Sequence, residues 1–118
     1  MTILIVEDEE DSRHFLAALL EDEGHRVVQA GDGEEGLAQL RAHSPAIVLS
    51  DVHMPRLDGP TFIRQARERG SRATFIVISA CPDGLEVDLG VAGVLRKPIR
   101  IEQVLQMTRQ VAEQRSWR

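Results

Sequence analysis

The chain has 118 residues, 42% of them hydrophobic and 28% charged, which suits one globular domain spanning residues 1–118. Its net charge of −5 argues against direct nucleic acid binding, and no apolar run approaches the roughly 20 residues of a membrane span. The amino terminus lacks the basic region of a secretory signal, and the lone Cys81 excludes an intramolecular disulfide, so we expect a cytoplasmic protein.

Short apolar runs rich in β-branched residues alternate with longer amphipathic stretches along the chain. The runs predict five strands, which lie at 3–6, 25–30, 46–50, 74–79 and 92–96. Helical spacing of apolar residues predicts helices that end near Gly24, cover residues 33–42, end near Gly70 and begin at Ile101. This alternation predicts an α/β fold, a doubly wound sandwich with a five-stranded parallel sheet between layers of helices.

The stretch between the fourth and fifth predicted strands is the least regular part of the pattern. Residues 81–91 read CPDGLEVDLGV, with one proline, two glycines and little periodicity. We therefore expect the fourth helix to be short or irregular, with one or two turns at most.

Polar residues follow or close four of the predicted strands. Glu7 and Asp8 follow the first strand, Asp51 follows the third, Ser79 closes the fourth and Lys97 follows the fifth. In doubly wound folds these carboxyl ends form the ligand-binding edge. Clustered carboxylates repel one another, and a hard cation such as Mg²⁺ relieves that repulsion, while a lysine and a hydroxyl suit a phosphoryl group. The set predicts a site that holds a metal ion and a phosphoryl group together.

Each of these residues also has a purely structural role open to it. The acids that begin at Glu9 favour a helix amino terminus, and Asp51 alone is a common loop-starting residue. Ser79 alone reads as a structural hydroxyl, and Lys97 alone as a solvated surface lysine. Their occurrence together, at the correct strand ends, favours the site.

Four fragments resemble the motifs of the receiver domain of bacterial two-component response regulators. They are IVEDEE at 5–10, LSDVHMPRLDG at 49–59, VISA at 77–80 and LRKPI at 95–99. The likeness covers the chain from Ile3 to about Glu113. It implies a flavodoxin-like (βα)5 fold with strand order 2-1-3-4-5, and a phosphorylation-dependent signalling switch.

The resemblance also implies a role for each site residue. Asp51 would accept a phosphoryl group from a histidine kinase or a histidine phosphotransfer protein, in a Mg²⁺-dependent reaction. The metal ligands would be Glu7, Asp8, Asp51 and the backbone carbonyl of His53. Ser79 and Lys97 would stabilise the phosphoryl group, Ser79 would also act as a switch, and the bond before Pro98 would be cis.

The resemblance further implies what acts before and after this domain. It would assist its own phosphorylation and dephosphorylation without being an enzyme for other substrates. It would signal to a downstream protein target or to an output domain outside this sequence, without contacting a membrane. Homodimerisation is left open. The turn at Asp58 and Gly59 would use the permissive backbone of glycine.

Two departures from the family pattern keep an alternative function open. Val94 occupies the switch position where the family usually has an aromatic ring, and the segment from Ser79 to Lys97 is about one helical turn shorter than usual. Both features favour a phosphorylation-independent interaction module with an altered output face. An aspartate-nucleophile phosphatase ranks lower, because that class needs an acid where this chain has His53.

Overall fold

The computed structural model describes residues 1–54, 56–81 and 89–116, except for the side chain of Ser116. The strands are Thr2–Val6 (β1), Arg26–Ala30 (β2), Ile47–Asp51 (β3), Thr74–Ser79 (β4) and Gly93–Arg96 (β5). The helices in these ranges are Glu10–Asp22 (α1), Gly33–His43 (α2), Gly59–Glu68 (α3) and Ile101–Ser116 (α4). The five predicted strands and four of the five predicted helices are therefore present, within a few residues of the expected bounds.

The five strands form one parallel sheet in the order β2-β1-β3-β4-β5, which confirms the predicted fold. The register aligns the carboxyl ends of the strands. Val6 lies opposite Ser50, Asp51 lies opposite Ile78, and Ser79 lies opposite Arg96. Residues that follow these positions are consequently brought to one edge of the sheet, which we call the carboxyl edge.

The sheet separates two apolar clusters because successive strand side chains point to opposite faces. One cluster joins alternate strand residues such as Ile5 and Leu49 to α1 and α4. The other joins strand residues such as Leu4 and Val48 to α2 and α3. Strands β1 and β3 are thus buried on both faces, and for this reason their sequences are continuous apolar runs rather than alternating ones.

Two helices at the carboxyl edge begin with an aspartate cap. Asp32 Oδ1 accepts a hydrogen bond from the Glu35 amide at 2.8 Å, and Asp58 Oδ1 accepts one from the Thr61 amide at 2.8 Å. The prediction of a turn at Asp58 and Gly59 was wrong, because Asp58 caps α3 and the helix already begins at Gly59.

Glycine is needed at position 59 for space and not for a left-handed backbone. A Cβ atom there would lie 2.6 Å from the Asp51 carbonyl oxygen and 2.8 Å from Val52 Cα. Among the described residues of this loop, Arg56 has the left-handed backbone, at φ 69°. Gly59 therefore lets α3 pack directly against the end of β3.

The fourth helix expected between β4 and β5 falls on residues 82–88, outside the described ranges. The residues that follow are held by α3, since Arg67 donates hydrogen bonds to the carbonyls of Leu89 at 2.6 Å and Gly90 at 2.7 Å. Within the described ranges, no helix combines the length and apolar character needed to cross a bilayer.

Candidate functional site

Asp51 lies at the centre of the carboxyl edge and is almost fully buried, with 1% of its surface exposed. Its Oδ2 atom accepts a hydrogen bond from Lys97 Nζ at 2.6 Å, and its Oδ1 atom accepts one from the His53 amide at 3.0 Å. The Lys97 side chain remains 39% exposed. The Lys97 ammonium therefore reaches Asp51 from the solvent side, and each carboxylate oxygen of Asp51 accepts a hydrogen bond.

Glu7, Asp8 and Asp51 form what we call the acid cluster. Each contributes one carboxylate oxygen, and these oxygens lie within 4.8 Å of one another. Glu7 is 3% exposed, and its Oε1 atom accepts a hydrogen bond from the Glu9 amide at 3.2 Å. Its buried Oε2 atom has no hydrogen-bond partner among the described residues. Asp8 is exposed, so the cluster opens to solvent on its side.

The charges of the cluster shift one another's protonation. Burial, reinforced by the neighbouring Asp51, raises the pKa of Glu7 to about 8. Burial acts to raise the pKa of Asp51 too, but the Glu7 carboxyl, the Lys97 ammonium and the His53 amide together hold it below its usual value. Desolvation acts to lower the pKa of Lys97, but its hydrogen bond to Asp51 and the negative charges of the acid cluster together raise it above its usual value. Asp51 and Lys97 thus form an ion pair, and the Glu7 carboxyl beside them resists ionisation.

The acid cluster fits a hard divalent cation. Its donors are carboxylate oxygens, which Mg²⁺ prefers, and one of them is buried without a partner among the described residues. A buried polar atom left unpaired is costly, and a bound cation would satisfy it. The cation would also favour the ionised form of Glu7, whose pKa is raised by burial and by the neighbouring Asp51.

The remaining predicted residues lie at the expected strand ends. Ser79 is 1% exposed, and its Oγ atom accepts a hydrogen bond from the Cys81 amide at 3.0 Å. Val94 is half-buried on β5 and packs against the cluster beneath α2 and α3. The bond between Lys97 and Pro98 is cis. The switch role of Ser79 and the coordinating role of the His53 carbonyl stay predictions.

Sequence reasoning missed Arg13, a half-buried residue of α1. Its Nη1 atom donates to the Glu7 carbonyl oxygen at 3.0 Å, and its Nε atom donates to Gln29 Oε1 at 3.2 Å. The guanidinium therefore ties α1 and β2 to the backbone of the acid cluster. An arginine on a polar helix stretch carries no periodic signal, so nothing in the sequence pointed to this contact.

Lys97 is also distinguished by the composition of the chain. It is the only lysine among the 14 basic residues, since the other thirteen are arginines. An ammonium is a compact point charge, whereas a guanidinium is a broad planar fork. The one side chain that carries an ammonium is the one paired with the buried Asp51.

Known structures share this fold across nearly the whole chain. The amino-terminal domain of an uncharacterised protein from Wolinella succinogenes is 31% identical with a TM-score of 0.89, covering 98% of this chain and 96% of that one. The receiver domain of the hybrid histidine kinase CckA is 35% identical with a TM-score of 0.81, covering 94% and 98%.

Relatives of known sequence differ in length. A probable chemotaxis protein CheY from Rhizobium etli is 35% identical over 109 residues, covering 86% of this chain and 84% of that protein. The Regulator of RpoS from Escherichia coli is 35% identical over 102 residues, and the match covers 83% of this chain but 30% of that protein. The family model for the response regulator receiver domain matches residues 3–109. This chain therefore belongs to the response regulator receiver domain family.

Proposed function

We propose that the chain is a phosphorylation-dependent signalling switch in which Asp51 accepts a phosphoryl group. The observation that carries this proposal is the Asp51–Lys97 ion pair of 2.6 Å beside the acid cluster. A carboxylate with a lowered pKa is ionised at neutral pH and available as a nucleophile. Fixed positive charge next to it favours the approach of an anionic phosphoryl donor.

The residues of the site divide the work of phosphoryl transfer. An Asp51 carboxylate oxygen attacks the phosphorus of a phosphohistidine on a kinase or phosphotransfer protein, and the phosphorus–nitrogen bond breaks as the partner's imidazole leaves. Lys97 exchanges its hydrogen bond to Asp51 for one to a phosphoryl oxygen. Ser79, whose hydroxyl hydrogen is not committed to the Cys81 amide, donates to another.

Magnesium would bind to Asp8 and Asp51 and to the His53 carbonyl, with Glu7 assisting. When bound, Mg²⁺ neutralises the charge that gathers on the transferring group. The chain's own contribution is to hold the carboxylates close together and to keep Asp51 away from bulk water. The phosphoryl group then adds charge and acceptor oxygens that rearrange the residues around Asp51 and Ser79.

Incubation with Mg²⁺ and acetyl phosphate tests this proposal. We expect intact-mass analysis to show the gain of one phosphoryl group, and no gain when Mg²⁺ is chelated. Asp51→Asn removes the nucleophile and should gain nothing. Ser50→Ala is a matched control, because Ser50 precedes Asp51 but donates its hydroxyl to the Asp51 carbonyl and not to the carboxylate. Phosphoryl gain in Asp51→Asn would sink the assignment.

Val94 favours a second candidate, an interaction module that works without phosphorylation. A valine packed on β5 cannot make the large rotamer exchange of an aromatic ring, so one route from the site to the surface is absent. Size analysis and amide NMR with Mg²⁺ and beryllofluoride, a phosphoryl mimic, separate the candidates. A switch changes its oligomeric state or its amide spectrum beyond the site, whereas a constitutive module changes neither.

A further inference from the structure

A cavity of about 910 Å³ lies at the amino edge of the sheet, opposite the Asp51 site. Its walls are the carboxyl-terminal ends of α2 and α3, the residues that precede β3 and β4, and the last turn of α4. A smaller depression of about 510 Å³ continues from it along α2 and α3, and shares Leu37, Arg41 and Arg69 with it. The volume is that of a small-molecule site.

Four arginines line the cavity: Arg41, Arg69, Arg72 and Arg115. None of the described residues that line it is acidic, although the whole chain has a net charge of −5. Elsewhere arginines such as Arg64 and Arg109 pair with glutamates. In the part of the chain that the structure describes, the guanidinium groups of Arg41, Arg69 and Arg72 form no ion pair or hydrogen bond. The described lining of the larger cavity is therefore positively charged with no acidic residue in it, while the smaller depression beside it adds one acid, Glu34.

Arg115 differs from the other three because the fold holds it in place. It donates hydrogen bonds to the Arg72 carbonyl oxygen at 3.2 Å and to Thr74 Oγ1 at 2.9 Å. These two contacts leave further N–H donors of the same guanidinium unused. The cavity thus has one preorganised cation and three exposed cations without a partner among the described residues.

The surface beneath the arginines is apolar. Leu37 and Ala66 are buried, and Leu40 is half-buried. Helix dipoles favour basic residues at helix carboxyl ends, which accounts for Arg41, Arg69 and Arg115 one at a time. The dipoles do not account for Arg72, which lies in the loop before β4, or for the convergence of all four on one apolar floor.

We propose that this arginine cavity binds a small organic anion that has a phosphate or carboxylate group and an apolar body. Guanidinium groups bind both kinds of anion through paired hydrogen bonds, and the leucine floor would take up the apolar part. This site is independent of the proposed chemistry at Asp51, because the two lie at opposite edges of the sheet.

Amide NMR with phenyl phosphate, benzoate and inorganic phosphate tests the proposal, in protein free of Mg²⁺. We expect phenyl phosphate to bind with a Kd of about 1 mM or tighter, and more tightly than inorganic phosphate. The shifted amides should be those of the cavity, such as Ser44, Gly70 and Ala73, and Lys97→Met should leave the affinity unchanged. Benzoate in place of phenyl phosphate tells whether the site prefers carboxylates or phosphates.

Two matched double variants decide whether the arginines are responsible. R41Q/R69Q removes two exposed cavity arginines, and R26Q/R64Q removes two exposed arginines elsewhere, so each lowers the net charge by two. We expect R41Q/R69Q to weaken phenyl phosphate binding at least about tenfold and R26Q/R64Q to leave it unchanged. Equal weakening in both variants, shifts centred on the Asp51 site, or no binding by the wild type would overturn the proposal. Acetyl phosphate should still phosphorylate R41Q/R69Q, because neither arginine lies at the Asp51 site. A loss of phenyl phosphate binding with phosphorylation intact therefore concerns the cavity alone, and a loss of phosphorylation in the wild type concerns the Asp51 assignment alone.

Discussion

The two edges of the sheet hold their polar groups in opposite ways. At the carboxyl edge, Asp51 and Glu7 are nearly fully buried and come from strand ends or the residue that follows one. At the amino edge, Arg41, Arg69 and Arg72 are exposed and come from helix ends and a loop. Strand ends are fixed by the ladder on both sides, whereas helix ends and loops adjust. We therefore expect changes at the carboxyl edge to alter both stability and chemistry, and changes at the amino edge to alter only ligand binding.

Gly59→Ala should produce the largest effect, because the new Cβ would meet backbone atoms of Asp51 and Val52 that cannot move independently of β3. We expect the free energy of unfolding to fall by about 1–3 kcal/mol, as for overpacking in a filled core. Phosphorylation by acetyl phosphate should slow as well, because the Asp51 loop must shift. Urea unfolding and timed mass analysis measure the two effects.

Gly31→Ala is the matched control for that substitution. A Cβ at Gly31 meets only the ends of the Arg13 and Glu35 side chains, each at 3.5 Å, which is an ordinary contact. Equal losses in the two alanine variants would mean that the tight approach at Gly59 is not what shapes the loop.

A pair of arginines gives the sharpest comparison between the edges. Arg13 and Arg115 each donate to one backbone carbonyl and one side-chain oxygen. If the acid cluster binds Mg²⁺ as proposed, Arg13→Gln should weaken that binding about 10- to 100-fold, as loss of a supporting contact does at known metal sites. Arg115→Gln should leave Mg²⁺ binding unchanged and weaken phenyl phosphate binding instead. Calorimetric titration of both variants with both ligands measures this, and a loss of both ligands in either variant would contradict the separation of the two edges.

Asp58→Ala should have the smallest effect, a loss of about 1 kcal/mol of stability, since it removes the cap of α3. Hydrogen bonds from Thr61 lower the pKa of Asp58 below its ordinary value near 3.8. Because its folded-state pKa is lowered, ionised Asp58 contributes stability at pH values above its ordinary pKa. That contribution is lost as the pH falls through the folded-state pKa. The gap between wild type and Asp58→Ala should therefore close in acid.

Asp58→Asn separates the cap from the charge. Asparagine caps helices as well as aspartate does but does not titrate. Asp58→Asn should match the wild type at neutral pH and lack its acid-dependent loss at this position. Urea unfolding at several pH values measures this, and a parallel acid loss in both proteins would assign it to other carboxylates.

The sequence was sufficient for the fold and for the meeting of the three acids with Lys97 at one edge of the sheet. The runs at Ile3–Val6 and Ile47–Ser50 lack the polar alternation of a half-exposed strand because both faces of those strands are buried. Once the strands are placed, residues that follow them must meet at one edge. Lys97 and Asp51 could therefore be brought together across 46 positions of sequence.

Features that depend on exact approach were beyond the sequence. Gly59 was expected to serve a turn, because glycine signals backbone freedom more often than a lack of space for Cβ. Arg13 and the arginine cavity were missed, since solvated arginines have no period that distinguishes a convergent set from a scattered one. The helix expected between β4 and β5 and the role of Val94 in signalling stay predictions.

The isolation of Lys97 has a consequence for covalent modification. Lys97 is the only lysine in this sequence. An acetyltransferase or acylating metabolite that modifies a lysine here therefore modifies the Lys97 Nζ atom, which lies 2.6 Å from Asp51 Oδ2. Acetylation removes the ammonium charge and leaves the buried carboxylate without its cation. In this chain, lysine acylation and phosphoryl transfer to Asp51 are therefore expected to exclude one another.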